Sequence, residues 1–433
     1  MGIFIFLIAM LVEIAFAVFC IITRSNEQKI KSIIKVAAFI GFILFTILSI
    51  IEWSSRYYAL ASFLLLLAII GSINLIKKNQ KKRVYKTVPV IMKAIGMTLI
   101  IFIVTVPSII FPQYKEIKPT GEYEVATATY TYTDKNRIET YTSTKENRKL
   151  NVQMWYPKNV HGTYPLIVFS HGAFGIKTSH ETLFNELASH GYVVCSIDHT
   201  YHSLYTTDDT GHTIPVDKGY MNELKTEDAK NNKIQSYEYY QKWMKIRTDD
   251  TNFVIDYILE EARDKTSDTV YKLVDTTKIG VMGHSLGGSS ALGIGRMRKD
   301  VSAVIALESP FLWDIKGVAN GEFDFTDEKY PVPLLNVYSD SSWGHLKEWP
   351  QYVENSALLS NTNPTVFNVH IKGVGHLTLT DLALSSPLLT RIFNGQKSTT
   401  NTEYCLKVIN KVCVEFFDCY LKGENKVKLG GEY

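Results

Sequence analysis

The chain changes character near residue 112. Before it, four apolar stretches at residues 3–22, 34–51, 58–76 and 88–111 are separated by short polar segments. Each approaches or exceeds the roughly 20 residues that a helix needs to cross a bilayer core, and together they predict four transmembrane helices. The first stretch lacks a basic start and a small-residue cleavage site, and further spans follow it, so it reads as a span and not a signal peptide. After a short linker at 113–121 the pattern becomes period-two, and residues 123–132 and 150–156 predict antiparallel strands. Continuous apolar runs at 165–170 and 192–197 suit strands covered on both faces. Further strands are expected at 278–282, 301–307, 333–338 and 366–371. Helices are expected at 181–190, at 234–262 with Phe253, Ile255, Ile258 and Leu259 on one apolar side, after residue 285, and at 402–421. Residues 200–235 are polar and too long for a simple connection, which predicts a lid-like excursion. Alternating strands and helices define an α/β class with a mostly parallel sheet covered on both faces, here preceded by an all-α bundle.

Charge orients the bundle. Arg24, Lys29 and Lys31 fall in the first loop, and Lys77, Lys78, Lys81, Lys82, Arg83 and Lys86 in the third, whereas the second holds only Glu52 and Arg56. Basic first and third loops belong in the cytoplasm, which places both termini and everything after Pro112 outside it. Glu13 sits mid-span, where a charge is expensive; it is either functional or a carboxyl held by the bundle. Lys93 is close enough to its span's cytoplasmic end to snorkel. The net charge of +3, with no Arg-rich face or zinc spacing, argues against a nucleic-acid partner. The five cysteines, Cys20, Cys195, Cys405, Cys413 and Cys419, have no CxxC spacing and read as small apolar core residues.

The chemistry is concentrated at Gly283-His284-Ser285-Leu286-Gly287-Gly288, between an apolar run and a helix-compatible one. Strand, sharp turn with a serine between glycines, then helix is the nucleophile elbow of the α/β-hydrolase fold. A serine nucleophile needs a base, an acid to orient that base, and donors for the oxyanion; in this fold the order is Ser, acid, His. Three histidines follow Ser285. His370 lies within a strand, His345 lies in a polar loop, and His376 follows a strand end through Gly373-Val374-Gly375, which makes it the candidate base. Two carboxylates follow strand ends: Glu308, fixed by Ser309-Pro310, is the candidate acid, with Asp340 as its alternative. The oxyanion donors are expected to be the backbone amides of Leu286 and, after Ser170-His171-Gly172, of Ala173 or Phe174. Asp198, His199 and His202 cluster as metal ligands do, but their spacing matches no common site, and neither metal nor organic cofactor is needed.

The ordered set Val152-Gln153-Met154-Trp155-Tyr156-Pro157, Phe169-Ser170-His171-Gly172, the Ser285 elbow and the His376 loop resembles the plasma-type platelet-activating-factor acetylhydrolases and their bacterial relatives, over roughly residues 120–425. That resemblance implies a calcium-independent serine esterase that removes short or oxidised acyl chains from phospholipids. The acid of that family, an Asp, falls on Glu308, and its oxyanion donors fall on Ala173 and Leu286. The expected organisation is a membrane region at 1–112, a linker at 113–121 and a catalytic domain at 122–433. The expected function is a multi-pass, membrane-anchored serine esterase whose substrate is a lipid ester. Alternatives are an esterase for cell-envelope acyl groups or small xenobiotic esters, and a non-catalytic membrane sensor of the same shape.

Overall fold

The structure is a computed structural model that describes residues 1–77, 85–264, 266–360, 363–424 and 429–433. Two compact units emerge: Met1–Lys115 with Leu384–Leu389, and Glu116–Ala383 with Thr390–Tyr433.

The first unit contains α1 (Gly2–Ile22), α2 (Gln28–Ile47), α3 (Tyr58–Ile76) and α4 (Thr87–Ile110), all long and apolar enough to cross a membrane. Their apolar residues point outward as well as inward: Phe4, Ile8, Leu11, Ile47, Leu66, Met92 and Ile103 are all exposed. A helix that is apolar all round calls for a non-aqueous neighbour. α1 lies against α4 and α2 against α3. The α2–α3 approach is close at Gly71, where an added methyl would sit 2.8 Å from the Ser32 carbonyl oxygen, the small-residue contact that lets membrane helices pack by dispersion. α2 starts six residues before the apolar run that signals it. Its first turns carry Lys29, Lys31 and Lys35, and a helix propagates through lysines as readily as through leucines. Of the basic third loop, Lys78, Lys81, Lys82 and Arg83 lie outside the described residues.

The second unit is built on a nine-stranded sheet: β1 (Val125–Ile138), β2 (Asn147–Pro157), β3 (Tyr164–Ser170), β4 (Val193–Asp198), β5 (Val274–His284), β6 (Val301–Leu307), β7 (Leu334–Ser339), β8 (Val366–Ile371) and β9 (Gly431–Glu432). Their spatial order is β1-β2-β4-β3-β5-β6-β7-β8-β9. β1–β2 and β2–β4 pair antiparallel, and every later pairing is parallel. The central strands have apolar residues on both faces because helices cover both: Leu166, Ile167, Val168 and Phe169 of β3 are fully buried, as are Val281 and Met282 of β5. The covering helices include α5 (Glu181–Ser189), α6 (Lys233–Arg263), α7 (Leu286–Met297) and α8 (Thr402–Phe417). This is the α/β-hydrolase arrangement that the strand and helix pattern predicts, with the parallel strands delivering their carboxyl ends to one edge.

The excursion at 200–235 holds structure of its own: a hairpin of Tyr205–Thr207 with Thr213–Pro215, and a helix at Lys218–Thr226 capped by the Asp217 side chain. A second hairpin, Ile315–Ala319 with Glu322–Phe325, follows β6 and carries no strong strand pattern. The last α-helix ends at Phe417, earlier than expected, and continues as a π-turn over Asp418–Lys422 closed by Gly423 at φ +75°.

Candidate active site

Ser285 sits where β5 gives way to α7, at φ +54° and ψ −126°. A side chain at positive φ is strained, and such strain persists only where surrounding structure enforces it. Here the Ser285 N–H donates to the Leu307 carbonyl at 2.8 Å, tying the elbow to the end of β6. The Ser285 carbonyl accepts from the Ser289 N–H at 3.0 Å and opens α7. The glycines of the elbow serve packing: a methyl on Gly287 would overlap the Ser170 carbonyl of β3. Ser285 remains partly exposed while its neighbours on both sides are buried.

The loop after β3 lies against this serine. A Cβ on Gly172 would be 3.0 Å from His284 Nδ1 and 3.2 Å from Ser285 Cβ, so any larger residue would crowd the elbow. Within the loop Phe174 adopts φ +57° and Gly175 N–H donates to the Gly172 carbonyl at 3.2 Å, which makes a tight turn. Leu286 is the first residue of α7, so its amide is one of the helix's unpaired N-terminal donors.

Glu308 follows β6, also at positive φ (+53°), and is 1 % exposed. Its N–H donates to the Val337 carbonyl at 2.7 Å, and its carboxylate accepts from the backbone N–H of Ser339 and, at 2.9 Å, from the Ser339 hydroxyl. The Glu308 carboxylate is thereby fixed to the end of β7. His376 opens a short helical turn and is 33 % exposed at its side chain; its Nδ1 is 3.9 Å from Glu308 Oε1. The His376 N–H donates to Ser341 Oγ at 2.9 Å. Its ring lies 4.5 Å from that of His284, whose Nε2 is 3.3 Å from the His376 carbonyl. Burial, then the neighbouring His376, hold His284 well below the usual histidine range. It is therefore neutral, and its Nε2–H can donate to that carbonyl.

Asp340, the alternative acid, has other partners. Its Oδ1 is 2.8 Å from His370 Nε2, and its Oδ2 accepts from the Gly373 N–H at 2.8 Å. It braces the base of the loop that carries His376.

A second Ser-His-Asp chain, which the sequence pattern did not single out, lies beneath. Ser170 Oγ is 2.7 Å from His199 Nε2, and His199 Nδ1 is 3.0 Å from Asp250 Oδ2. Arg148 holds both Asp250 oxygens, at 2.6 and 2.7 Å, and Arg137 adds a contact at 2.9 Å. Burial alone would raise the Asp250 pKa, but the Arg148 guanidinium holds it well below the usual carboxylate range. Burial pushes His199 down to about 4, so its Nδ1–H donates to Asp250 and its Nε2 accepts from Ser170. Exposure separates the two constellations: Ser170, His199 and Asp250 are 1 %, 0 % and 0 % exposed. Next to them, fully buried Arg247 donates to the carbonyls of His171 (2.5 Å) and Gly172 (3.5 Å), and His171 Nδ1 lies 2.6 Å from the same Gly172 oxygen. The buried network thus grips the Gly172 loop from behind. One signal was available in the sequence: Arg247 and Asp250 fall on the same face of α6 as Trp243 and Val254, so two charges had to be buried together.

Asp198 and His202 are used separately. Asp198 pairs with Lys177 at 2.8 Å, and His202 lies 2.7 Å from the Tyr141 hydroxyl with its ring stacked on Tyr220 at 3.8 Å. Among the described residues no group of three or more His, Cys, Asp or Glu is placed to hold a metal ion.

A nine-stranded α/β sheet with a strained serine at its carboxyl edge is the architecture of an α/β-hydrolase. The family model described as platelet-activating factor acetylhydrolase, isoform II, matches residues 118–429, more than half of the chain, and the chain belongs to that family. It is 23% identical over 269 residues to the platelet-activating factor acetylhydrolase of Canis lupus familiaris, covering 60% of this chain and 57% of that protein. It is 22% identical over 274 residues to the one of Gallus gallus, covering 60% of this chain and 62% of that protein. With cutinase est1 of Thermobifida alba it shares 28% identity over 154 residues, 36% of this chain and 38% of the cutinase. The match thus spans less than two thirds of the length of these curated relatives. A ferulic acid esterase structure from Streptomyces cinnamoneus superposes with a TM-score of 0.55 at 21% identity, over 71% of this chain and 93% of that one, which speaks to the fold.

Proposed function

We propose that this chain is a membrane-anchored serine esterase that hydrolyses short acyl esters, with Ser285 as nucleophile. The observation that carries the reading is the pairing of strain with access: Ser285 is held at positive φ and partly open, next to His284, whose ring lies 4.5 Å from that of His376, whereas the competing Ser170 is sealed. In the proposed mechanism Ser285 Oγ attacks the ester carbonyl, and His376 takes its proton and returns it to the leaving alcohol. Glu308 orients His376 and stabilises the imidazolium; the 3.9 Å separation closes to a hydrogen bond once substrate fills the site. The amides of Leu286 and Ala173 hold the oxyanion, and water then resolves the acyl-enzyme.

The acyl donor in this reading is a phospholipid with a short chain. Family membership and the four apolar helices support it, since they would keep the site beside a lipid surface. The similarity to a cutinase supports a second substrate class, acyl esters outside phospholipids. Comparing p-nitrophenyl acetate, a short-chain phospholipid and an acetylated glycan decides between them: preference for the phospholipid supports the first reading, and preference for the glycan overturns it. On p-nitrophenyl acetate, Ser285→Ala should lose at least about 10³-fold in rate and Ser170→Ala should retain most activity. The reverse pattern would move the nucleophile to Ser170.

A further inference from the structure

The helical unit carries charges that its packing does not require. Glu13 lies midway along α1, Lys31 and Lys35 lie in the first turns of α2, and Lys93 lies in the second turn of α4. All four line one cavity of about 500 Å3. Lys31 Nζ is 3.7 Å from Glu13 Oε2. Among the described residues the ammonium groups of Lys35 and Lys93 make no hydrogen bond or ion pair. One carboxylate against three ammonium groups leaves the cavity with an excess of positive charge near the basic ends of α2 and α4, where a pocket of ammonium groups between spans attracts anionic headgroups.

An apolar groove adjoins it. Val12, Ala15, Phe19, Ile30 and Ile34 line the groove between α1 and α2, and Phe16 lines both the groove and the cavity. Lys31 Nζ stands over the Phe16 ring, 5.4 Å from its centroid. A cationic chamber joined to an apolar channel has the form of an amphiphile: an oxyanion head with an acyl tail.

We propose that this is a binding site for an anionic lipid, whose head lies among Lys31, Lys35 and Lys93 and whose acyl chain follows the α1–α2 groove. The inference rests on the reading of these helices as membrane spans. It is separate from the ester site, and under the charge-derived topology it faces the cytoplasmic leaflet.

Native mass spectrometry of the full chain in neutral detergent tests it, by titration with dioleoyl phosphatidylglycerol, oleate, dioleoyl phosphatidylcholine and inorganic phosphate in turn. One saturable phosphatidylglycerol or oleate is expected, and the two arms tell a phosphodiester head from a carboxylate. Lys35→Met and Lys93→Met should each weaken binding about fivefold, Glu13→Gln should tighten it, and Lys29→Met, outside the cavity, should change nothing. Hydrolysis of p-nitrophenyl acetate should be the same in all four variants, which reports that the hydrolase unit is folded, and an unchanged helical circular-dichroism melt reports the same of the helical unit. Phosphatidylcholine or inorganic phosphate binding as tightly, or full binding by the Lys35→Met/Lys93→Met double variant, overturns the proposal. Carbonate-washed membranes address the underlying reading. A chain found in the wash defeats the membrane reading and this inference together, whereas a membrane-retained chain that binds no anionic lipid defeats this inference alone.

Discussion

The choice of acid turns on hydrogen-bond partners. Glu308 and Asp340 both follow strands of the right edge, but the Asp340 oxygens go to His370 and Gly373, and the Glu308 carboxylate is held by Ser339 within ion-pair distance of His376. Glu308→Gln should therefore cut kcat by about 10³–10⁴-fold, as loss of the orienting charge does in serine hydrolases. Asp340→Asn should act mainly on stability, with kcat on p-nitrophenyl acetate within about tenfold of the parent. A larger loss from Asp340→Asn would exchange their roles. Arg247 is given a positioning role: it donates to the His171 carbonyl at 2.5 Å and reaches the Gly172 oxygen at 3.5 Å, which His171 Nδ1 approaches at 2.6 Å, and a trans peptide sets that C=O opposite the Ala173 N–H. Arg247→Met should lower kcat by about 10–100-fold with KM little changed, as for a weakened oxyanion donor, and Arg247→Lys should recover part of it. A fall in thermal stability with kcat intact would leave Arg247 a merely structural residue.

At the scale of elements, the elbow and the strand ends beside it form one packed block. Gly287→Ala would drive a methyl into the Ser170 carbonyl, and overpacking of this kind costs about 1–3 kcal/mol or more because backbone has to move. Chemical denaturation of Gly287→Ala against parent is the check; an unchanged midpoint would mean that α7 and β3 are less tightly apposed. The same block buries neutral histidines. Burial pushes His180 down to about 3 and His199 to about 4, and holds His171 and His284 well below the ordinary value near 6.5. Between about pH 6.5 and pH 4 the unfolded chain binds more protons at these sites, so their contribution is complete above pH 6.5 and is lost as pH falls toward 4. The thermal midpoint should drop over that window. The drop should be shallower in His180→Phe, whose parent ring packs on Phe169 and has no hydrogen-bond partner among the described residues; an equally steep drop in that variant would contradict the assignment. The strands were legible in the sequence because β3 and β5 must be apolar on both faces and β1 and β2 must alternate. The Ser170–His199–Asp250 chain was not, because it joins three distant segments and its meaning lies in burial, which local pattern does not report. The hairpin at Ile315–Ala319 and Glu322–Phe325 escaped for a related reason: a short strand pair packed on α6 is set by tertiary contacts and not by period.

For the whole molecule, the proposed topology rests on the basic first and third loops, which would put the hydrolase unit outside the cytoplasm if the four apolar helices are spans. A reporter fused after Tyr433 should be active only on the extracytoplasmic side; cytoplasmic activity would reverse the topology and leave the chemistry untouched. The central claim is that catalysis belongs to the strained, accessible Ser285 and not to the sealed serine beneath it. Peptide mapping by mass spectrometry of the full chain after reaction with a fluorophosphonate tests that claim most directly. The account predicts a single phosphonyl adduct on the peptide containing Ser285, absent in Ser285→Ala and intact in Ser170→Ala. An adduct on Ser170, or labelling that persists in Ser285→Ala, would contradict it.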